Sequence, residues 1–379
     1  METIKGFKDI LGNEATKFSF IREVTRQTFE KYNFQEVQTP IIEYEKFVKG
    51  DNENDEAVSD IFRLQDKGKR NLALRYEFTF QLKRIAENQK LPFKRFQIGA
   101  VFRDEPVQGN RLRQFTQCDI DTIGATIKDQ AEILSAIKDI LNALKVNSTI
   151  YVNNRELLNQ ILEENQILEK KQVIKEIDKL DKLSLAEVKK NLKPYNAEKI
   201  LDVFNQPEKY FERYPAYQDI KELRAYCRYY GFDVQFQASL ARGLSYYTGN
   251  VFEIKSDIKE TICGGGTYKL GSTIATGISF SIERLMAVTN ILINTNKILV
   301  VSLNQDKKAI QLSKQLRKQG KNTNVFCGKP NKALAYANSY GFQKIIFVGE
   351  KEVEKKKFKV KNLKTGKEVT LTLTKSPLK

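Results

Sequence analysis

The stretch from Phe93 to Gly124, FKRFQIGAVFRDEPVQGNRLRQFTQCDIDTIG, constrains the fold more than any other part of the chain. It opens as an alternating run. Phe96, Ile98 and Ala100 share one side and Gln97, Gly99 and Val101 the other, which is the period-two signature of a strand. A polar, glycine-containing loop follows from Asp104 to Asn110, and a second run returns from Leu112 to Ile123. Arg103 closes the first strand, Arg111 and Arg113 open the second, and Phe115 comes next. Guanidinium forks match phosphate oxygens and an aromatic face stacks on a base, so such a hairpin suits a nucleoside triphosphate. The same residues also describe an ordinary hairpin with a basic, solvated face, and the stretch alone does not choose.

The chain contains no histidine. This excludes Ser–His and Cys–His nucleophile systems, histidine acid–base catalysis and histidine-ligated metals. The four cysteines, Cys118, Cys227, Cys263 and Cys327, are far apart and form no CxxC pair, so neither a zinc ribbon nor a disulfide framework is indicated. Any chemistry rests on Arg, Lys, Glu, Asp, Tyr and bound metal. No run of about 18 apolar residues is present, so no membrane span is expected, and the N-terminal METIKGFKDILGNEATKF has no apolar signal core. A cytoplasmic protein is expected.

At 379 residues the chain has room for two or three domains. Its charge is uneven. Residues 296–379 carry 20 Lys and Arg against 5 Asp and Glu, whereas the preceding residues carry 44 against 42. A nearly neutral body with a basic tail module points to a polyanionic partner, nucleic acid first; a solubilising lysine surface has the same composition.

Helical spacing appears over Lys17–Asn33 and Asp129–Leu144. Phe34–Pro40 reads as extended, Asp60–Leu64 and Leu72–Arg75 as strands, and Thr79–Asn88 as a short helix. Between Asn153 and Leu223 charged helices dominate and glycine disappears, as in a helical insertion. Phe232–Ala238 and Val251–Lys255 read as strands, Cys263–Tyr268 as a glycine run beside a strand, and Thr276–Leu285 as a strand entering a helix. The tail alternates strand and helix: Lys297–Leu303, a helix capped by Asp306 and stopped by Gly320, Asn324–Cys327, Asn331–Tyr340, Lys344–Val348, then a hairpin over Lys355–Leu363 and Glu368–Leu373. That pattern implies a small α/β module with a largely parallel sheet.

Several blocks, in one order, carry a family resemblance. Phe102–Glu105 with Arg111–Asp121 is similar to the second signature motif of class II aminoacyl-tRNA synthetases, and its RQF-x-Q-C-D-x-D ending resembles histidyl-tRNA synthetases of the archaeal and eukaryotic kind. Ala241–Glu253, ARGLSYYTGNVFE, resembles the histidine-specific block of that family, and Gly277–Leu285, GISFSIERL, its third motif. Leu74–Thr79 is similar to its substrate-amine loop and Phe34–Pro40 to its first motif, which sits at a dimer interface. The resemblance covers essentially the whole chain.

That resemblance implies an α+β catalytic domain with a mixed, mainly antiparallel sheet in two parts, residues 1–150 and 226–293. It also implies a helical insertion over 151–225 and a C-terminal α/β anticodon-binding domain over 296–379. The implied activity is ATP-dependent ligation of L-histidine to tRNA(His) through a histidyl-adenylate, with Mg²⁺, by a homodimer that does not engage a membrane. No metal ligands from the protein are indicated. By the same resemblance Arg103 and Arg242 are catalytic: Arg103 holds the α-phosphate and Arg242 clamps the substrate carboxylate and α-phosphate. Phe115 stacks on adenine, Glu105 lies at its edge, and Arg111 and Arg284 bind the outer phosphates. Glu77, Thr79 and Gln117 read the α-amino group, Asp121 and Tyr247 read the two imidazole nitrogens, and Tyr246 and Tyr268 line the pocket. Gln108 and Arg113, in the loop Val107–Arg113, meet the tRNA acceptor end. The chemistry suits a chain without histidine. A carboxylate is already nucleophilic at neutral pH, so catalysis reduces to positioning and charge neutralisation.

Three expectations follow for the structure. Adjacent strand residues face opposite ways, so one of Tyr246 and Tyr247 belongs to the core, and Tyr247 is the expected ligand. The Gly264–Gly266 run is expected to allow close backbone approach to the substrate. Ser245, where the family usually has Asp, and Thr267-Tyr268-Lys269, where it usually has Arg-Tyr-Asp, depart from its pattern. Two other readings remain: a non-catalytic relative of the ATP phosphoribosyltransferase regulatory-subunit type, which is expected to lose the anticodon domain and catalytic arginines, and an RNA-binding protein with an inert body.

Overall fold

A computed structural model describes residues 2–50, 56–107, 112–181, 183–242, 246–258, 261–291, 293 and 295–371. Contacts divide the chain into two compact units, Met1–Ile291 and Leu292–Lys379.

The first unit is built on strands β1 (Gln35–Glu36), β2 (Ile42–Tyr44), β3 (Arg63–Gln65), β4 (Asn71–Leu74), β5 (Phe93–Phe102), β6 (Gln114–Ile123), β7 (Thr149–Asn154), β8 (Gln235–Phe236), β9 (Tyr247–Lys255), β10 (Cys263–Leu270) and β11 (Thr273–Ser281). Eight of them form one sheet in the order β1-β5-β6-β11-β10-β9-β7-β8. Pairing is antiparallel throughout except at the two short edge strands, β1 and β8, which are parallel to their neighbours. The predicted hairpin is the β5–β6 pair, ten residues on each arm.

The sheet has two different faces because its alternation is chemical as well as geometric. On one side Phe96, Ile98, Cys118, Ile120, Ile278, Phe280, Phe252 and Ile254 share a core with Ile21 and Phe29 of the Gly12–Lys31 helix and Leu134, Ile137 and Leu141 of the Ile127–Ala143 helix. Each helix supplies an apolar stripe at its 3.6-residue period, and burying that stripe on the sheet stabilises both. Asp129 accepts a hydrogen bond from the Thr126 backbone N–H at 2.8 Å, which settles the start of the second helix. The opposite face is polar and rich in glycine, and it holds the site described below.

Several elements differ from expectation. Thr149–Asn154 is a sheet strand paired with β9, so the helical segment opens at Arg155, where Asn154 caps the helix, and runs to Tyr229. Its buried residues, among them Leu157, Ile177, Val188 and Leu223, join the same core as the sheet. Cys263–Tyr268 lies inside a strand rather than beside one. Of Phe232–Ala238 only Gln235–Phe236 pairs, and β9 starts at Tyr247, ahead of Val251. Extended propensity marks these segments, but only a partner strand decides which residues bond.

The remaining strands form a small antiparallel sheet, β2-β4-β3. Ile42, Tyr44 and Leu64 of this sheet are exposed, while Glu43 turns inward to Gln81 and Arg84.

The second unit contains β12 (Ile298–Ser302), β13 (Thr323–Cys327), β14 (Lys344–Val348), β15 (Phe358–Asn362) and β16 (Glu368–Leu371), ordered β13-β12-β14-β15-β16. The first three are parallel and the last two form the antiparallel hairpin. Leu312 and Leu316 of the Asp306–Lys318 helix pack on Ile298, Val300 and Ile346, while Ala333 and Ala337 of the Pro330–Ser339 helix pack on the other side with Leu299 and Ile345. Gln305, not Asp306, holds the cap position of the first helix. Asp306 lies in its first turn and accepts from the Ser302 hydroxyl at 2.5 Å.

Candidate active site

The β5–β6 register sets Arg95 opposite Asp121, Gln97 opposite Asp119 and Gly99 opposite Gln117. On the other flank of β6, Gly277, Ser279 and Ser281 face Asp121, Asp119 and Gln117. Further across, Gly264 and Gly266 pair with Glu253 and Val251. One face therefore carries a row of polar side chains separated by glycines, and the glycines are there for space. A Cβ at Gly99 would lie 2.7 Å from Arg75 Nη2, and one at Gly264 2.4 Å from Arg242 Nη2. At Gly277 it would lie 1.9 Å from Asp121 Oδ1, and at Gly266 2.9 Å from the Tyr247 ring. The glycines of β10 thus make way for the site's own arginine and tyrosine. Gly265 points to the other face, where a Cβ would meet Gly277 O at 2.1 Å.

At the acidic end are Glu77, Asp119 and Asp121, all buried. Burial pushes the Glu77 carboxyl up to about 7, with Asp121 adding to the rise and Arg103 opposing it. Burial likewise raises the Asp119 carboxyl, against the pull of Arg95. The Asp121 carboxyl is also raised by burial, again opposed by Arg95 and by the Tyr268 hydroxyl. Tyr268 donates to Asp121 Oδ1 at 2.5 Å, and Gln117 Nε2 donates to Asp119 Oδ1 at 2.8 Å. Asp121 is therefore not the solvated strand residue its alternation alone would allow.

Tyr246 precedes the first residue of β9, so strand alternation does not separate it from Tyr247, and their ring centroids lie 4.7 Å apart. Tyr246 lines the cavity and reaches Glu77 Oε2 at 3.5 Å, whereas Tyr247 is packed into the core with Val251 and Tyr268. The cavity, of about 660 Å³, is also bordered by Glu77, Thr79, Tyr268 and Lys269 and by the segment from Lys46 to Gly50; Asp121, Gln117, Arg103 and Arg242 are not part of its wall. Thr267 faces away from it, accepting a hydrogen bond from Gln130 of the helix beneath, so of the two departures beside Tyr268 only Lys269 reaches the cavity.

At the basic end, Arg242 lies over Gly264 with Nη1 2.8 Å from Glu253 Oε1, and among the described residues its buried Nε has no hydrogen-bond partner. Arg103 donates from Nε to Tyr76 O at 3.1 Å, sits over the Phe115 ring at 5.2 Å and lies 3.9 Å from Glu105. Arg284 donates to Thr261 O at 2.8 Å. Arg113 is held locally: Nε donates to Glu105 O at 3.0 Å, Nη1 meets Asp104 at 3.1 Å, and the stem packs on Gly6. Gln108, Arg111 and Ser245 lie outside the described residues.

Four residues of this surface escape a reading of the sequence. Arg95 and Asp119 flank Asp121; Arg75 donates to Ala100 O and Thr39 O at 2.8 and 2.7 Å; and Glu283 accepts the Thr116 N–H with both oxygens, at 2.9 and 3.0 Å. Shared parity with Asp121 was the available signal for Asp119, but which β5 residue stands opposite depends on register.

The family model described as histidyl-tRNA synthetase matches residues 6–285, and the one described as anticodon binding domain matches residues 297–377. A histidine–tRNA ligase 1 from Bacillus cereus (strain ATCC 10987 / NRS 248) is 30% identical over 421 residues, covering 99% of this chain and 96% of that protein. A histidine–tRNA ligase from Wolinella succinogenes is 32% identical, covering 96% of this chain and 94% of its own. The crystal structure of histidyl-tRNA synthetase from Nostoc sp. PCC 7120 superposes with a TM-score of 0.84 at 24% identity, covering 98% of this chain and 96% of its own. At that identity the superposition speaks for the fold: a mainly antiparallel catalytic sheet and a C-terminal α/β module.

Proposed function

We infer the function from one premise: the chain belongs to the histidyl-tRNA synthetase family. It ligates L-histidine to tRNA in an ATP-dependent reaction. We propose the residue roles from the observation that one sheet face joins an acidic end to a basic one. Glu77, Gln117 and Thr79 take the α-ammonium group, and Asp121, with the tyrosines, takes the imidazole. A site built to bond both ring nitrogens rejects isosteres lacking them, because its buried polar groups go unpaired. Tyr246 is the tyrosine at the cavity wall, with Tyr247 behind it.

At the other end Arg242 takes the substrate carboxylate and the α-phosphate, a role its unpartnered Nε suits. Arg103 faces the same phosphate, Phe115 and Glu105 the adenine, and Arg111 and Arg284 the outer phosphates. The carboxylate attacks the α-phosphorus, pyrophosphate leaves, and the terminal ribose hydroxyl of tRNA(His) then attacks the adenylate carbonyl. Arg103 and Arg242 hold the charge that builds on the α-phosphate, so no side-chain base is needed. Among the described residues no group of three metal-ligating side chains gathers. Mg²⁺ would arrive on the triphosphate, since that ion keeps several waters and needs only one or two carboxylates. Gln108 and Arg113 are proposed to guide the acceptor end.

A homodimer is proposed through the small sheet, whose exposed Ile42, Tyr44 and Leu64 share one face. Sedimentation that returns only monomer at micromolar concentration would count against it. A cytoplasmic location is proposed from the part that charged tRNA plays in translation; separately, no described helix is long and apolar enough to cross a membrane.

Histidine-dependent ATP–pyrophosphate exchange tests the reading. The purified protein exchanges, and Arg242→Ala lowers the rate about 100-fold or more. Absence of exchange in folded protein that still binds tRNA sinks the enzyme reading in favour of the regulatory or RNA-binding ones.

A further inference from the structure

Behind the residues given roles above lies a charge cluster that has none. Arg95 is completely buried on β5. Its Nη2 stands 2.6 Å from Asp121 Oδ2 and 3.8 Å from Asp119 Oδ2. Among the described residues none of its three buried nitrogens makes a hydrogen bond, and neither does Asp121 Oδ2, so guanidinium and carboxylate meet as a close ion pair. The two aspartates are held from their other oxygens, Asp121 by Tyr268 and Asp119 by Gln117. Gly277 closes the floor beneath Asp121.

A core has no need of such a group. Burying an ion costs several kcal/mol, and apolar side chains of similar volume commonly do as well or better for stability. Incompletely bonded donors make the structural explanation weaker still. What the cluster does achieve is geometric. An aspartate ion-paired at one oxygen with a buried guanidinium, hydrogen-bonded at the other to a phenol, and pressed on a glycine is confined to one orientation. A binding group needs its position held to within about 0.5 Å by such supports.

Asp119 completes the device. It lies between Gln117 and Asp121 on the same face of β6 and draws on the same guanidinium. Without it, Arg95 is free to turn both Nη groups onto Asp121 and occupy the lone pairs that should face the ligand. Without Arg95, two neighbouring buried carboxylates share one proton, and Asp121 loses its role as a fixed acceptor. Each deletion damages recognition of the ring by a different route.

We propose that Arg95 and Asp119 are positioning residues that hold the Asp121 carboxylate as reader of the imidazole ring, and so set selectivity for the amino acid from behind the pocket. The proposal rests on the assignment of Asp121 given above. The facing groups are Arg95 on β5, Asp119 on β6, Tyr268 on β10 and Glu77 ahead of the Thr79–Ala86 helix, with Arg75, Tyr247 and Arg103 further out.

The test is pyrophosphate exchange with the full chain, reading KM for histidine and for ATP separately, together with discrimination against 3-(2-thienyl)alanine, whose ring lacks nitrogen. The variants are Asp119→Asn, nearly isosteric, and Arg95→Lys, which keeps the charge. Both are expected to raise KM for histidine about tenfold or more at unchanged KM for ATP, and to narrow discrimination against the thienyl analogue by a similar factor. Arg95→Lys should be the milder of the two. Wild-type KM and discrimination in both folded variants overturns the proposal, and so does a parallel rise in both KM values, which marks a merely structural role. If Arg95→Lys does not fold, Asp119→Asn decides alone; if Asp119→Asn does not fold, the cluster is structural and the proposal falls. Failure of the unmodified protein to exchange removes the ligase reading itself, an outcome distinct from unaffected variants in an exchanging enzyme.

Discussion

Glu77 shows what the interior does to a single side chain. Its carboxyl is buried beside Asp121, with a long contact to Tyr246 and a backbone hydrogen bond from Phe80, and burial pushes it up to about 7. Its unfolded value lies near 4.3, so the folded form binds the proton more tightly and the sign of the linkage follows. The stabilising contribution is complete below about pH 4 and is lost as pH rises through about 7. The melting temperature of the ligand-free protein is therefore expected to fall between about pH 5 and pH 8.5, and Glu77→Gln is expected to flatten that fall. Bound histidine should restore stability most at the alkaline end, where its ammonium meets ionised carboxylates. An equal pH slope in wild type and Glu77→Gln, measured by calorimetry, would show that Glu77 is not strained by burial.

At the scale of elements, neighbouring glycines on β10 make the two-faced sheet testable. Gly264 lies beneath Arg242, whereas Gly265 faces the backbone of β11. Gly265→Ala forces a methyl into Gly277 O and Ile278 Cα, and about 3 kcal/mol of stability should be lost. Gly264→Ala meets only the movable end of Arg242, so stability should change little while exchange falls about 100-fold. Denaturant titration and exchange rates measured on the same pair separate the two outcomes. Elements also show how far a linear pattern can be read. The helix from Ile127 to Ala143 and the hairpin arms were legible because each repeats its own period many times. Which of Tyr246 and Tyr247 faces the cavity was not legible, because the place of Tyr246 before β9 depends on where pairing with β10 begins, and an alternation rule applied one residue too early assigns the wrong one to the core. Arg95 was missed for a related reason: nothing local says that it stands opposite Asp121.

For the whole molecule the uneven charge has a functional consequence. The basic residues of 296–379 belong to the unit matched as an anticodon binding domain. Phosphate contacts release counterions, so KM for tRNA should rise steeply with salt while histidine-dependent exchange, which uses no tRNA, should not. A chain ending at Ile291 comprises the first compact unit. It should retain exchange and charge tRNA at least about tenfold less well at low salt, with the salt dependence of charging reduced. Full charging by the shortened chain would remove the tail from the tRNA interface.

The two-part organisation, the hairpin, the alternating α/β tail and the residue types available for chemistry can all be read from the order of amino acids. The absence of histidine excluded histidine-based nucleophile and acid–base systems, and the ordered motifs carried the family. These properties are local or additive, so they survive in a linear reading. Only the tertiary structure decided which charges share a face, that Gly264 and Gly277 exist to admit Arg242 and Asp121, and that Asp121 answers to Arg95. Each of these depends on strand register, in which a shift of one residue exchanges the two faces of the sheet. Register is set by the burial of the whole apolar face on its helices, which no short stretch of the chain contains.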